Sequence, residues 1–390
     1  ATTMSAQHTV LVLGSGAVGL MYGGRLLEAE LCYASKLNVH FALRSDFNLC
    51  SRKGFQVWSD DGDIYFSAND LHGRIHDHNL INAGGDMSIG RIDLIICAFK
   101  STVMADSDSR SEVKSLLSRI VTDSTKILVL MNGLLCEEHF VDWFGSAAVF
   151  GGMAFTCINR LRSESPDDAL IVHHMAHGAL QIGHCQDDPQ QMAQILELWK
   201  DTKIAHKVTT TDSLLRSRWL KLCWNIPFNG LAVSLGGVST DVIVTDPDLR
   251  ILADEIMQDV ISLANAHLLS SSTSDRKSSI AVAPIDMNET RRFCWHLADT
   301  IGAYKTSTVL DLVNGHAMEL EYMFGRALDV AMELSSDVKG PLDGVIGELR
   351  WPKRSNWKSL ERIVRSVFAI ERIAKRKASH GMSWSPTLLT

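Results

Sequence analysis

Apolar residues are spaced differently in the two halves of the chain. In the first half, short apolar runs typical of β-strands recur and are separated by segments with helical spacing. The runs predicted as strands are 9–13, 39–43, 55–57, 92–99, 127–131, 150–158, 179–182 and 204–209. Because strands that alternate with helices form parallel sheets, this half is predicted to be an α/β domain with a doubly wound, mainly parallel sheet.

The second half of the chain, from residue 212 onward, is helical in pattern. The predicted helices are 214–234, 247–267, 289–300, 309–334 and 360–379. This change predicts a domain boundary near residue 210, between an α/β domain over 1–210 and an all-α domain over 211–390. The Ser-rich segment 269–279 is predicted to be a loop, and 335–357, which contains prolines and glycines, an irregular connection.

A glycine-rich turn joins the first predicted strand to the first helix. Gly14, Gly16 and Gly19 have the G-x-G-x-x-G spacing of a dinucleotide-binding Rossmann turn. In such a turn the first glycine allows the tight bend, the second lets the backbone approach a pyrophosphate, and the third lets the helix pack on the strand. The cofactor-binding residues predicted from this turn are Gly14, Ser15, Gly16, Ala17, Val18 and Gly19.

The end of the second strand predicts which dinucleotide is bound. NAD-binding proteins place Asp or Glu here to accept a hydrogen bond from the ribose 2′-hydroxyl, whereas this chain has Arg44 followed by Ser45. A guanidinium can bind a 2′-phosphate through two parallel hydrogen bonds, whereas a carboxylate would repel the phosphate. The predicted cofactor is therefore NADPH/NADP, and Asp46 is expected to lie beyond the strand end.

Composition and charge narrow the class of protein. The chain is 46% hydrophobic and 21% charged, as soluble globular proteins are. A net charge of −7 argues against nucleic-acid binding, and no apolar run approaches the roughly 20 residues that span a bilayer. The N-terminus lacks a secretion-signal pattern and the eight cysteines form no C-x-x-C pair, so a cytoplasmic protein with reduced cysteines is expected.

Three polar residues share one stripe of the long apolar segment 214–234. Lys221, Asn225 and Asn229 stand at i, i+4 and i+8, which places them on the same face of a helix. Polar side chains on an apolar helix need partners, so they either satisfy buried polar groups of the core or face a ligand. Spacing alone leaves both alternatives open.

Six segments, in order, resemble the ketopantoate reductase (2-dehydropantoate 2-reductase) family. They are 10–26, 97–101, 130–133, 173–183, 219–229 and 307–321. The most diagnostic is 219–229, which is similar to the family's W-x-K-x-x-x-N-x-x-x-N helix. The resemblance implies a Rossmann domain followed by an all-helical C-terminal domain, with the active site between them.

The resemblance also implies an activity, the NADPH-dependent reduction of 2-dehydropantoate to pantoate in pantothenate biosynthesis. It makes Lys221 the general acid that protonates the carbonyl oxygen, with Glu319 as its catalytic partner. The residues implied to bind the substrate are Asn132, Asn225, Asn229 and Ser307. Besides the glycine-rich turn and Arg44, the residues implied to contact the cofactor are Lys100 and Asn132, although Asn132-Gly133 is also a turn signal in its own right.

Two departures from the family pattern keep other functions open. Thr308 stands where the family usually has methionine, and Met318 where it usually has threonine before the glutamate. The alternatives are a reductase of another small 2-oxo acid and a non-catalytic NADPH-binding sensor, and a homodimer is compatible with the long apolar helices. His173, His174 and His177 lie in a segment predicted to be a strand or hairpin, where neighbouring side chains point to opposite faces, so no metal site is expected.

Overall fold

The computed structural model describes residues 7–33, 35–85, 89–161, 169–273, 282–335, 345–346, 349–350 and 356–384. The chain divides into two units. The sheet unit comprises Ala1–Met131 and Cys136–Leu214, and the helical unit comprises Asn132–Leu135 and Leu215–Thr390. The four residues 132–135 therefore contact the helical unit although the chain on both sides of them belongs to the sheet unit.

The sheet unit is built on one sheet whose strands follow the order β4-β3-β9-β8-β7-β6-β1-β2-β5, with β10 beside β9. The strands are β1 His8–Leu13, β2 Leu37–Leu43, β3 Phe55–Ser59, β4 Ile64–Phe66, β5 Ile75–Asp77, β6 Leu94–Cys97, β7 Lys126–Val129, β8 Val149–Arg160, β9 Leu170–His184 and β10 Val208–Thr210. The pairings β3–β4 and β8–β9 are antiparallel and the others are parallel. The predicted doubly wound, mainly parallel sheet is confirmed.

Helices lie between the strands of this unit. They are α1 Ala17–Cys32, α2 Phe47–Lys53, α3 His78–Asn82, α4 Thr102–Ala105, α5 Ser107–Ile120, α6 Glu138–Phe144 and α7 Pro189–Glu197. β6 is buried at every residue and β1 at all but His8, because central strands are covered on both faces, and this explains their almost wholly apolar sequences. Their side chains join α1 residues such as Leu20 and Leu26 in one core.

Several strand bounds differ from the sequence predictions. The run predicted as a strand over 179–182 is the end of β9, which begins at Leu170, and the run over 204–209 contains a 3₁₀ turn at Ala205–Lys207 before β10. β4 and β5 have three residues each and were not predicted. Strands this short carry too few residues for an alternating pattern to be recognised.

The helical unit contains α8 Leu214–Ser234, α9 Thr240–Thr245, α10 Pro247–Thr273, α11 Met287–Ile301, α12 Ser307–Val313, α13 Arg326–Ser335 and α14 Lys358–Ser379. It also includes the two-residue strands β11 Val345–Ile346 and β12 Leu349–Arg350. Leu134 and buried residues of its helices form a second core, separate from that of the sheet unit. Among the described residues no helix is both long and apolar enough to cross a membrane.

Two predictions for this unit were wrong. The helix predicted over 309–334 is broken after α12, because Asn314-Gly315 forms a turn in which Gly315 has φ of +70°, and the chain becomes helical again only near Leu320. The Ser-rich loop predicted from residue 269 starts too early, since α10 continues to Thr273. The rest of that segment and most of 335–357 lie outside the described residues.

Candidate active site

The glycine-rich turn of the sheet unit has the geometry that phosphate binding requires. Gly14 has φ of +109°, in the left-handed region that favours glycine, and Gly16 is the N-cap of α1 with no side-chain cap. The first N–H groups of α1 are therefore left for a ligand, and the positive end of the helix dipole favours an anion there.

The close packing around Gly19 is also typical of a dinucleotide-binding turn. A Cβ atom on Gly19 would lie 2.7 Å from the backbone oxygen of Gly14 and 3.1 Å from Cβ of Ala98, which follows β6. Only glycine allows α1 to approach the turn and β6 this closely. The pyrophosphate of a nicotinamide dinucleotide would be held by the turn and the α1 N-terminus, so these residues fit a nicotinamide cofactor.

The side chains at the end of β2 carry opposite charges and differ in exposure. Arg44 is exposed directly after the strand, and its guanidinium adds to burial in lowering the pKa of His78 from its usual range. Asp46 is only 6% exposed and caps α2 without a side-chain bond to that helix. Its carboxylate instead accepts a hydrogen bond from the Ser15 hydroxyl of the glycine-rich turn and two from Arg160 at the end of β8.

In the helical unit, one amide joins a lysine to a glutamate. Lys221 Nζ donates to Oδ1 of Asn132 at 2.7 Å, and Nδ2 of Asn132 donates to Oε2 of Glu319 at 3.3 Å. The hydrogen bond between Asn132 and Glu319 is partly shielded from water, since Glu319 is 8% exposed and Asn132 is half-buried. The lysine comes from α8, the glutamate precedes α13, and the asparagine comes from a segment far away in the sequence.

Backbone contacts hold Asn132 in this arrangement. Leu134 N donates to the carbonyl oxygen of Tyr322 at 2.8 Å, and Gly133 has φ of +118°. A Cβ atom on Gly133 would lie 2.5 Å from Cβ of Tyr322, so the turn has no room for a side chain. Tyr322 belongs to a π-helical turn, Glu321–Gly325, that begins two residues after Glu319. Such turns are frequent at functional sites because they shift the register of nearby side chains.

The other two residues of the polar stripe of α8, Asn225 and Asn229, are buried. Asn225 is 8% exposed and Asn229 2% exposed. Nδ2 of Asn229 donates to Sδ of Met323 at 3.2 Å, and Thr308 Oγ1 contacts the same sulfur at 3.8 Å. Oδ1 of Asn229 is buried and accepts no hydrogen bond from the described part of the chain. Because a thioether has no proton to donate, Met323 fixes the amide with its oxygen as the remaining acceptor.

The remaining predicted site residues lie at the ends of elements. Ser307 is exposed at the first residue of α12, and Lys100 is exposed beyond the end of β6. His173 and His174 are adjacent in β9. His174 is buried, and its Nδ1 shares a 2.8 Å hydrogen bond with Oγ of Ser59. Within the described residues, no three His, Cys, Asp or Glu side chains are grouped as a metal ion would require.

Three residues of these sites were not predicted from the sequence as partners. They are Asp46, Arg160 and Met323. Arg160 and Asp46 are 114 positions apart, and Met323 and Asn229 are 94 apart, so no local spacing signals either contact. Asp46 gave the only sequence signal, a carboxylate close to the end of the second strand.

Comparisons with known proteins agree with these observations. The family model described as "Ketopantoate reductase PanE/ApbA" matches residues 10–187, and the one described as "Ketopantoate reductase PanE/ApbA C terminal" matches residues 213–339. The chain is 27% identical over 328 residues to a 2-dehydropantoate 2-reductase of Nostoc sp. (strain PCC 7120), covering 83% of this chain and 88% of the relative.

Solved structures show the same fold. The crystal structure of 2-dehydropantoate 2-reductase from Geobacter metallireducens GS-15 has a TM-score of 0.70 at 25% identity, covering 93% of this chain and 99% of that one. D-mandelate dehydrogenase, solved with NADH and anilino(oxo)acetate, has a TM-score of 0.67 at 15% identity and covers 94% and 99%. The family resemblance predicted from the sequence is confirmed: the chain belongs to the ketopantoate reductase family of oxidoreductases.

Proposed function

We propose that this protein catalyses the NADPH-dependent reduction of 2-dehydropantoate to pantoate, a step of pantothenate biosynthesis, with Lys221 as the general acid. The observation that carries the proposal is the 2.7 Å hydrogen bond that fixes the ammonium of Lys221 on Asn132, whose amide also contacts Glu319. The family membership supports the same reaction. The glycine-rich sheet unit would bind the cofactor and the helical unit the substrate.

Reduction of a 2-oxo acid requires a hydride at the carbonyl carbon and a proton at the carbonyl oxygen. The nicotinamide supplies the hydride when the cofactor is bound. As the carbon–oxygen π bond breaks, negative charge grows on the oxygen, and the ammonium of Lys221 stabilises that charge and transfers one proton to it. The products are the 2-hydroxy acid and oxidised cofactor, and Lys221 regains its proton from solvent.

Asn132 and Glu319 orient the acid in this proposal. The Asn132 amide accepts from Lys221 and donates to Glu319, so its orientation is determined by two charged partners. A lysine side chain rotates about four carbon bonds. Holding its ammonium in one position before the reaction lowers the entropy cost of proton transfer.

The preference for the phosphorylated cofactor is argued from Arg44. Its exposed guanidinium directly follows β2, where doubly wound folds contact the adenosine ribose. A guanidinium at this place can form two hydrogen bonds with a 2′-phosphate, whereas NADH offers only a hydroxyl. D-mandelate dehydrogenase, whose solved structure contains NADH, supports a nicotinamide cofactor in general.

The test is NADPH oxidation with 2-dehydropantoate by the wild type and three variants. Lys221→Ala should lower kcat by roughly 10²–10⁴-fold, because a positioned proton donor contributes that much. Lys221→Arg keeps the charge but cannot release a proton near neutral pH, so it should recover little activity. Lys358→Ala removes an exposed lysine of the same unit and should act as the wild type. An active Lys221→Ala enzyme would refute the assigned role.

A different 2-oxo acid is the second candidate. Thr308, where the family usually has methionine, is buried with its hydroxyl against Met323, so the polarity next to Asn229 differs from the family pattern. Rates with 2-dehydropantoate and with the 2-oxo acid that corresponds to mandelate should be measured side by side. Faster reduction of the second compound would replace 2-dehydropantoate as the substrate, while turnover of neither, with NADPH bound, would favour a sensor.

A further inference from the structure

A carboxylate occupies a place where an NADPH-binding protein would not be expected to have one. Asp46 follows β2 by three residues and contacts the Ser15 hydroxyl, so its carboxylate lies directly beside the glycine-rich turn. A free carboxylate at this edge accepts a hydrogen bond from a ribose hydroxyl of NADH and repels the 2′-phosphate of NADPH. Asp46 thus opposes the cofactor preference that Arg44 indicates.

Arg160 changes the electrostatics of this carboxylate. Its two terminal nitrogens donate to the two oxygens of Asp46 at 2.8 and 2.6 Å, a paired geometry that fixes both groups. With the Ser15 hydroxyl added, the carboxylate has three donors. Arg160 itself is 42% exposed in its side chain, so part of the guanidinium remains accessible to a ligand.

We propose that Arg160 determines cofactor preference by neutralising Asp46, so that the site at the end of β2, beside the glycine-rich turn, accepts the 2′-phosphate of NADPH. The inference rests on the proposed use of NADPH and adds a residue from a distant strand to the cofactor site. Arg160 acts mainly through Asp46 and is a positioning residue. Its position at the end of the long β8–β9 pair, opposite Val172, brings the guanidinium to the end of β2.

The charge effect has a direction that a purely structural role would not share. Removing Arg160 leaves the negative charge of Asp46 without its ionic partner at the end of β2, which weakens binding of NADPH more than binding of NADH. At a partly exposed site, one added like-charge contact lowers affinity by roughly five- to tenfold. A structural loss at the turn would weaken both cofactors by the same factor.

The experiment measures the Kd of NADPH and of NADH by fluorescence titration without substrate. Arg160→Met keeps the apolar stem of the side chain. It should weaken the binding of NADPH by roughly five- to tenfold and the binding of NADH by less than about twofold. Arg160→Met combined with Asp46→Asn should restore most of the NADPH affinity, because the unmasked charge is gone. Arg52→Met, an exposed arginine of α2, makes the same change in net charge and should leave the ratio of the two Kd values unchanged.

Two results would overturn the inference while leaving NADPH as the cofactor. One is a wild type that prefers NADPH together with an Arg160→Met variant of unchanged preference. The other is an equal loss of affinity for both cofactors in Arg160→Met, with no recovery of affinity in the double variant. That result would make the Asp46–Arg160 pair structural. A wild type that prefers NADH would instead contradict the proposed cofactor itself and would assign Asp46 to the ribose hydroxyl.

Discussion

Two glycines of α1 allow the packing of the glycine-rich turn to be tested by one kind of substitution. In Gly19→Ala the new Cβ would lie 2.7 Å from the backbone oxygen of Gly14, a distance that real Cβ atoms essentially never show. In Gly24→Ala the nearest atom would be Cε2 of Phe55 at 3.4 Å, which is ordinary van der Waals contact. Both residues are buried within the same helix, so the two variants differ mainly in this steric overlap.

The magnitudes follow from two opposing effects. Replacing glycine by alanine within a helix stabilises it by about 1 kcal/mol, and this gain applies to both variants. Overlap in a well-packed region destabilises by about 1–3 kcal/mol, and at Gly19 the opposing atom is backbone, which cannot rotate away. Gly24→Ala should therefore be as stable as the wild type or more stable, and Gly19→Ala should be less stable than Gly24→Ala by about 1–3 kcal/mol.

Thermal unfolding followed by circular dichroism measures this difference. In a unit of this size, 1 kcal/mol shifts the unfolding temperature by roughly 2–4 °C, so the two variants should be separated by several degrees. Gly19→Ala should also weaken NADPH binding, because relief of the overlap moves the Gly14 carbonyl and the turn with it. Equal unfolding temperatures and wild-type NADPH affinity in both variants would refute the argument that Gly19 is required for close packing.

Two further expectations concern the two units separately. Burial, together with the positive charges of His76 and Arg74, lowers the pKa of His40 to about 4, so its contribution to stability is present above pH 6.5 and is lost as the pH falls from 6.5 towards 4. His40→Gln should flatten the loss of unfolding free energy over this window, which reaches at most about 1.4 kcal/mol per pH unit, and an unchanged pH profile would contradict it. Gly133→Ala should lower kcat and destabilise the helical unit by about 1–3 kcal/mol or more, because φ of +118° is strained for alanine and Tyr322 fills the space. Turnover at the wild-type rate would show that Asn132 does not depend on this turn.

The sequence was most informative where the structure follows from local spacing. The glycine-rich turn and the bounds of α8 depend on contacts between residues close together in the chain. The strands β1 and β6 pair with distant strands, but because both are buried almost throughout they stand out as short apolar runs. Their hydrophobic periodicity therefore predicted them well. The stripe of Lys221, Asn225 and Asn229 follows from the same helical period, although spacing did not distinguish partners in the core from a ligand.

Local spacing failed where a turn or a short strand interrupted the pattern. The apolar period of 309–334 continues across a break at Gly315, since a turn of a few residues hardly alters the average spacing of apolar positions. α10 likewise continues through serines that composition assigns to a loop, because its preceding turns are packed in the core of the helical unit. Tertiary packing overrides weak residue preferences in such segments.

Only the tertiary structure decided which distant residues meet. Lys221 and Asn132 are 89 positions apart, Asn132 and Glu319 are 187 apart, and Asp46 and Arg160 are 114 apart. No periodicity extends over such separations, because these contacts arise from strand order and from the packing of remote segments. The sequence by itself determined the elements and the kinds of side chain available for chemistry, and folding determined which of those side chains came within hydrogen-bonding distance.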